Sequence, residues 1–465
     1  MIDVSSGRPD AEGRARRDHE VVTGRLAEVE QLVLQRAPES EVDPSLDAIR
    51  ALMDLMGEPQ RAVPVIHLTG TNGKTSTSRM VERLLRELGL RTGRFTSPHL
   101  TDVRERIALD GEPISPDRFI AAWDDVAPYL EVLDGRSRAA GDPVINYFQV
   151  LTAMAFSAFA DAPVDVAVLE VGLGGTWDST NVADGQVAVI TPIAIDHERL
   201  LGHTVELIAT EKAGIIKPGA VAVLGVQLRE AAEVLLHRAG EVGADVVVEG
   251  QQIGLLHREG AVGGQLVSVR GLGGDYEDLF LPMYGEHQAH NLVCAIAAVE
   301  AFFGGGSDPL DVEVVRAAVA DMDSPGRLEI VRRSPTVVVD AAHNPAGAQS
   351  VAAAMGEAFA FRRLVGLIAV LGDKDPEGIL AALEPVLDEV VVTRTTSPRA
   401  MDVETLADIA RDVFGEERVH VVGRLPDALA RAVDLAEEDG EPGAGVLATG
   451  SVTMAADVRT LLGVR

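Results

Sequence analysis

The run Val65-Ile66-His67-Leu68-Thr69-Gly70-Thr71-Asn72-Gly73-Lys74-Thr75-Ser76 passes from apolar residues through two glycines to a lysine and two hydroxyls. That order suits phosphate. Glycines let the backbone approach an anion closely, and the N-terminus of a following helix offers unpaired N–H groups. Lys74 has the reach for β- and γ-phosphates, and Thr75 or Ser76 can present a hydroxyl to magnesium. The spacing is a shortened Walker A pattern, because Leu68 stands where that pattern wants glycine. A second candidate follows a second apolar run: Val166-Ala167-Val168-Leu169 ends in Glu170, ahead of Val171-Gly172-Leu173-Gly174-Gly175. In open α/β sheets ligands bind outside the carboxyl ends of the strands. A carboxylate at that end, beside a phosphate loop, is placed to hold a metal.

The elements that must position these groups read as a wound α/β protein with a mostly parallel sheet. In the first part the clearest strands are 63–68, 164–171 and 187–191. A helix from Lys74 to about Leu88 carries Met80, Leu84, Leu85 and Leu88 at helical spacing and stops at Gly89. From Val246 to about Leu281 short, glycine-filled patterns predict β structure, and a helix from about His287 to Phe303 follows. Asp323-Ser324-Pro325-Gly326 is the best boundary. Beyond it a smaller Rossmann-like series is predicted, with strands near 336–340, 364–371, 389–393, 418–422 and 446–449. The division is a flexible tail over 1–20, a P-loop domain over 21–322, a linker over 323–326 and a C-terminal domain over 327–465.

Composition bounds the function. A chain of 465 residues exceeds one ordinary core. A formal charge of −31 argues against general nucleic-acid binding, which needs a basic face. The lone Cys294, in an apolar run, suits a reducing cytosol and a buried position. No run reaches the roughly 18 apolar residues of a membrane span, and the N-terminus lacks a secretory signal's apolar core. A cytoplasmic protein with small-molecule partners is expected.

At this point the residues resemble a family. Gly70-Thr71-Asn72-Gly73-Lys74, Thr96-Ser97-Pro98-His99-Leu100 and Leu169-Glu170-Val171-Gly172-Leu173-Gly174-Gly175 look like folylpolyglutamate synthases, a branch of the Mur ligase superfamily. Further matches run in order through Asp178-Ser179-Thr180-Asn181, Asp196-His197-Glu198, Glu211-Lys212-Ala213-Gly214-Ile215 and Gly285-Glu286-His287-Gln288. Pro325-Gly326-Arg327-Leu328-Glu329, Asp340-Ala341-Ala342-His343-Asn344-Pro345 and Thr449-Gly450-Ser451 complete the set.

The resemblance implies an ATP-dependent ligase that joins L-glutamate to a folate, and also to dihydropteroate, through an acyl phosphate. It implies that Ser97, Glu170 and His197, with Thr75, hold two magnesium ions, and that Lys212 is carbamylated; a monovalent cation would also fit. Asn291 resembles the adenine-side contact, Arg327 the phosphate-binding arginine, and Asp340 and His343 residues that touch nucleotide when the domains close. His99 and Asp178 are candidates for the substrate, although Asp178 reads equally as an Asx turn ahead of Thr180-Asn181. With Lys74, these residues make up the expected catalytic and binding set. The linker at 324–326 is expected to act as the hinge, and the protein to be a monomer. Family members often carry Gly at Thr75, Arg at Thr176 and Glu at Gln149, so these positions depart from the pattern.

Two rival readings remain open at this level. A Mur-type ligase for another carboxylate would carry a further domain ahead of the phosphate loop, whereas Gly70 already lies in that loop. A non-catalytic nucleotide-binding regulator would not need Lys74, Glu170, His197, Lys212 and His343 together.

Overall fold

The computed structural model describes residues 11–38, 44–438, 440 and 442–464. Its first sheet holds β1 (Val65–Thr69), β2 (Thr92–Phe95), β3 (Ile107–Leu109), β4 (Glu112–Pro113), β5 (Val166–Glu170), β6 (Gly185–Ile190), β7 (Val221–Leu224) and β8 (Asp245–Val248). They lie in the order β4-β3-β2-β5-β1-β6-β7-β8. From β2 to β8 the pairs are parallel, and β3 and β4 add an antiparallel edge. Every residue of β1 and β5 is buried, which is why β5 reads as a continuous apolar run up to Glu170 and why β1 carries even His67 and Thr69 inside.

Sequence order reverses around β1, which is flanked by β5 on one side and β6 on the other. The crevice at that reversal receives the phosphate loop. The register places Leu68 beside Glu170 and Thr69 beside Ile190, so loop, acid and the Thr191 segment leave the sheet together.

A three-stranded antiparallel sheet follows, β9 (Gly254–Ala261), β10 (Gly264–Arg270) and β11 (Asp275–Leu281), where the glycine-rich β segment was predicted. Helix Glu286–Phe302 packs against helix Lys74–Glu87. It is buried nearly all round, so its sequence shows little amphipathic contrast, and Cys294 is one of its core residues.

The C-terminal sheet comprises β12 (Glu329–Arg333), β13 (Thr336–Val339), β14 (Arg363–Ile368), β15 (Glu389–Val392), β16 (Val419–Val421) and β17 (Ala444–Thr449). Its order is β12-β13-β17-β14-β15-β16, with β12 alone antiparallel. One apolar cluster covers each face.

One boundary departs from expectation. A helix spans Ala11–Leu34, so 11–20, read as part of a flexible tail, is helical, and Val29 and Val33 join the core. Residues 1–10 lie outside the described residues. At 323–326 the chain is tied down: Ser324 Oγ lies 3.0 Å from Ser76 Oγ, and Arg79 grips the Asp323 carboxylate at 2.6 Å.

Candidate active site

The phosphate loop leaves β1 with Gly70 at φ +151° and Gly73 at φ +89°. Both glycines are also demanded by space. A Cβ on Gly70 would fall 1.9 Å from Thr191 Oγ1, and one on Gly73 would fall 2.5 Å from Asn291 Oδ1. Thr71 and Asn72 donate their backbone N–H groups to Pro192 O, while the Thr71 hydroxyl bridges Ala194. Lys74 folds over its own loop, its Nζ donating to Gly70 O (3.0 Å) and Thr71 O (3.2 Å). Burial lowers its pKa, opposed by the charges of Glu170 and Asp196.

Thr75 and Glu170 meet at the floor of the crevice. The Thr75 hydroxyl donates to Glu170 Oε1 at 2.8 Å, and the Ser97 N–H also serves this carboxylate. Glu170 is 1% exposed, and its Oε2 has no hydrogen-bond partner. An orphaned carboxylate oxygen at such depth is costly unless a cation completes it. Burial accordingly raises the Glu170 pKa against the pull of Lys74, Thr75 and Arg327. A carboxylate with nearby hydroxyls is the hard-oxygen set that magnesium takes, so these residues fit the metal. Ser76, the alternative hydroxyl, faces the linker instead, because on the helix it points one residue's rotation away from Thr75.

His197 sits in the left-handed region at φ +52°, following Asp196. Asp196 is the hub of the crevice. Lys374 Nζ donates to its Oδ1 at 2.5 Å, Asn344 Nδ2 donates to its Oδ2 at 3.0 Å, and His343 Nε2 lies 3.4 Å from the same Oδ2. Burial works against its ionisation, but the His343 contact and the neighbouring positive charges hold its pKa well below the carboxylate range. The His197 pKa falls as well: burial, joined by Lys374, lowers it to about 3 despite Asp196, so its ring is neutral and able to ligate. Among the described residues no three His, Cys, Asp or Glu side chains converge as a ready metal cluster.

Lys212 ends the helix Val205–Lys212 and lines the same crevice. Burial, then the charge of Lys74, depresses its pKa to about 7. It is therefore a buried amine.

The second domain closes the site from above. Asn344 caps the helix Pro345–Ala358 by accepting from Gly347 N at 2.8 Å. It also forms a reciprocal amide pair with Asn72, at 3.2 and 3.1 Å. Asp340 braces the entry of the domain, accepting from Leu328 N and Ala342 N, with burial raising its pKa and Arg327 lowering it. Arg327 donates to Gly326 O at 3.1 Å, and its charge acts on Lys74, Glu170 and Asp340. His343 Nδ1 is fixed by Ala341 O at 2.9 Å. Asn291 lies beneath Gly73 and donates to Gln288 Oε1.

The substrate candidates separate. His99 Nδ1 accepts from Arg106 Nε at 2.9 Å, and Arg106 stacks over the Tyr147 ring at 5.1 Å, both of them buried. Asp178 caps the turn Ser179–Val182: Oδ1 takes Thr180 N and the Thr180 hydroxyl, and Oδ2 takes Leu173 N. The Asx-turn alternative is therefore the geometry found, and Asp178 shapes the glycine loop after β5. The departures find local jobs as well. Gln149 closes a capping box with Asn146, and the Thr176 hydroxyl donates to Glu211 O.

Sequence reasoning missed Lys374 and the Asn72–Asn344 pair. The one available signal for Lys374 was its place just past a C-terminal strand, at the ligand-bearing end of an α/β sheet. Between the domains a small crevice remains, lined by Gly70, Thr71, Lys74, Asp196, His197 and Lys212. Loop, acid and lysine groups of the first domain line it together with His343 of the second.

Residues 326–452 match the family described as Mur ligase, glutamate ligase domain. A phosphate-loop sheet capped by that domain defines a Mur-type ligase, an ATP-dependent former of amide bonds. Along its whole length the chain is 51% identical to the dihydrofolate synthase/folylpolyglutamate synthase of Mycobacterium tuberculosis, covering 99% of that protein. It is 33% identical to the Bacillus subtilis enzyme of the same name, over 90% of this chain and 95% of the other. The solved Mycobacterium tuberculosis folylpolyglutamate synthase with ADP and AMPPCP superposes with a TM-score of 0.90 at 52% identity, covering 95% of this chain and 99% of that one. The chain belongs to the dihydrofolate synthase/folylpolyglutamate synthase family.

Proposed function

We propose that this chain adds L-glutamate to the carboxylate of a folate, and to dihydropteroate, with ATP as the activating substrate. A carboxylate is a poor electrophile, and attack on the γ-phosphate converts it to an acyl phosphate with ADP leaving. The glutamate amine then displaces phosphate and leaves an amide. One observation carries this reading: the buried pair Thr75–Glu170, with a carboxylate oxygen left bare, lies beside a lysine-bearing phosphate loop that the second domain covers. Related proteins named for both activities support the pair of acceptors, and a related complex described with AMPPCP and folate supports the substrate class.

In this reading the loop amides and Lys74 hold the phosphates, and Arg327 neutralises charge on the group in transfer. Glu170, with Thr75 and Ser97, and His197 would hold magnesium. When bound, the metal shields the phosphate oxygens from the incoming carboxylate. Lys212, as a buried amine with a pKa near 7, has the neutral fraction that reaction with carbon dioxide needs, so a carbamate there would replace an ammonium in the crevice with an anion. His99 is the candidate contact to the acceptor, oriented by Arg106, which is itself buried over the Tyr147 ring. Asp340 and His343 complete the nucleotide side on closure about the 324–326 hinge. A monomer working in the cytoplasm, without nucleic-acid or membrane partners, completes the reading; among the described residues no helix is long and apolar enough to cross a membrane.

The test is substrate dependence with isotope tracing. ADP release should require glutamate together with dihydropteroate or tetrahydrofolate, each assayed separately. Oxygen-18 in the acceptor carboxylate should appear in the released phosphate. Turnover with unlabelled phosphate would refute the acyl phosphate.

A further inference from the structure

The C-terminal domain sends Lys374 into the corner where the first domain presents Asp196 and His197. Its side chain is 5% exposed. Nζ lies 2.5 Å from Asp196 Oδ1 and 3.4 Å from His197 Nε2. The same carboxylate is gripped from the C-terminal domain by Asn344 and faced by His343. His197 itself has left-handed backbone, at φ +52°.

An imidazole nitrogen ligates a divalent ion at about 2 Å. With Lys374 Nζ 3.4 Å from that nitrogen, an ion bound there would press against a like charge in nearly the same space. They must alternate. We propose that Lys374 is a displaceable counter-cation: it fills the cation position between Asp196 and His197, and it must withdraw before a divalent ion binds His197. Lys374 rides on the C-terminal domain and His197 on the first, so loading that metal and parting the domains become one linked event. The inference rests on the reading of His197 as a metal ligand, and it makes metal entry at His197 follow the movement that admits nucleotide.

The experiment uses the full-length protein with Mn²⁺ as probe, following binding by EPR and imidazole coupling by nitrogen-14 ESEEM, with and without AMPPCP. Without nucleotide, wild type and Lys374→Arg should show no nitrogen coupling. Lys374→Met should show it, with Mn²⁺ binding tighter by about tenfold or more. With AMPPCP all three should show coupling, and His197→Ala in the Lys374→Met background should abolish it. Nitrogen coupling in nucleotide-free wild type, or Lys374→Met behaving as wild type while coupling appears with AMPPCP, overturns the proposal and leaves His197 a ligand. No coupling in any form, AMPPCP included, removes His197 from the metal site and the proposal with it. If Lys374→Met does not fold, Lys374→Gln takes its place under the same criteria.

Discussion

Asn344 ties the two domains through a reciprocal amide pair with Asn72 and a bond to the ionised Asp196, while its own oxygen caps a helix. Asn344→Ser separates these jobs, because serine keeps a capping oxygen and deletes the amide donor. The two neutral bonds are each worth about 1 kcal/mol net, and the bond to a carboxylate about 1.5–3 kcal/mol. Closure should therefore weaken by about 3 kcal/mol or more, which lowers kcat/KM for ATP roughly a hundredfold if catalysis needs the closed form. The melting temperature should barely move. A double-mutant cycle with Asn72→Ala then isolates the amide pair, and the coupling expected is about 1–2 kcal/mol. Steady-state ligation, read as ADP release, measures all four corners. Additivity within about 0.5 kcal/mol would refute the argument that this pair is made in the catalytically competent state.

Glu170→Gln keeps the oxygen that receives Thr75 and removes the charge; Mn²⁺ affinity measured by EPR should fall, and phosphoryl transfer should drop by about a hundredfold or more. Lys212 has a folded pKa near 7 against an ordinary value of 10.5, so the unfolded chain binds more protons between those values. Stability should rise with pH across that window, be fully penalised below about 7, and lose this slope in Lys212→Met; urea titrations in carbon-dioxide-free buffer at pH 7, 8 and 9 check the sign. Arg94 forms a buried pair with Glu82 at 2.5 Å and donates to the Thr96 hydroxyl, next to Ser97. Arg94→Met strands that carboxylate, and chemical denaturation should show a loss of about 3–5 kcal/mol.

Several features were legible in the chain alone because each depends on local rules. A strand–glycine–lysine–helix order fixes a phosphate loop wherever it occurs, and Gly73 at positive φ beneath a helix start needs no tertiary information to be anticipated. The strand ending in Glu170 was readable for the same reason, since burial on both faces writes an unbroken apolar run. The helical identity of 11–20 was hidden, because polar sequence there looks like solvated tail until Val29 and Val33, further along the helix, find a core. Spacing could not tell Thr75 from Ser76 as a metal-side hydroxyl, or Asp178 as substrate contact from Asp178 as cap. Those choices turn on side-chain direction.

The chemistry on offer was legible from the residues alone: a cradle for phosphate, an acid at a strand end, a lysine, three histidines and an arginine. Which of them meet was decided by the folded molecule. Asn72 and Asn344 are 272 positions apart, Asp196 and Lys374 are 178 apart, and no periodic pattern reports such pairings. They exist because two separately wound sheets bring the carboxyl ends of their strands face to face.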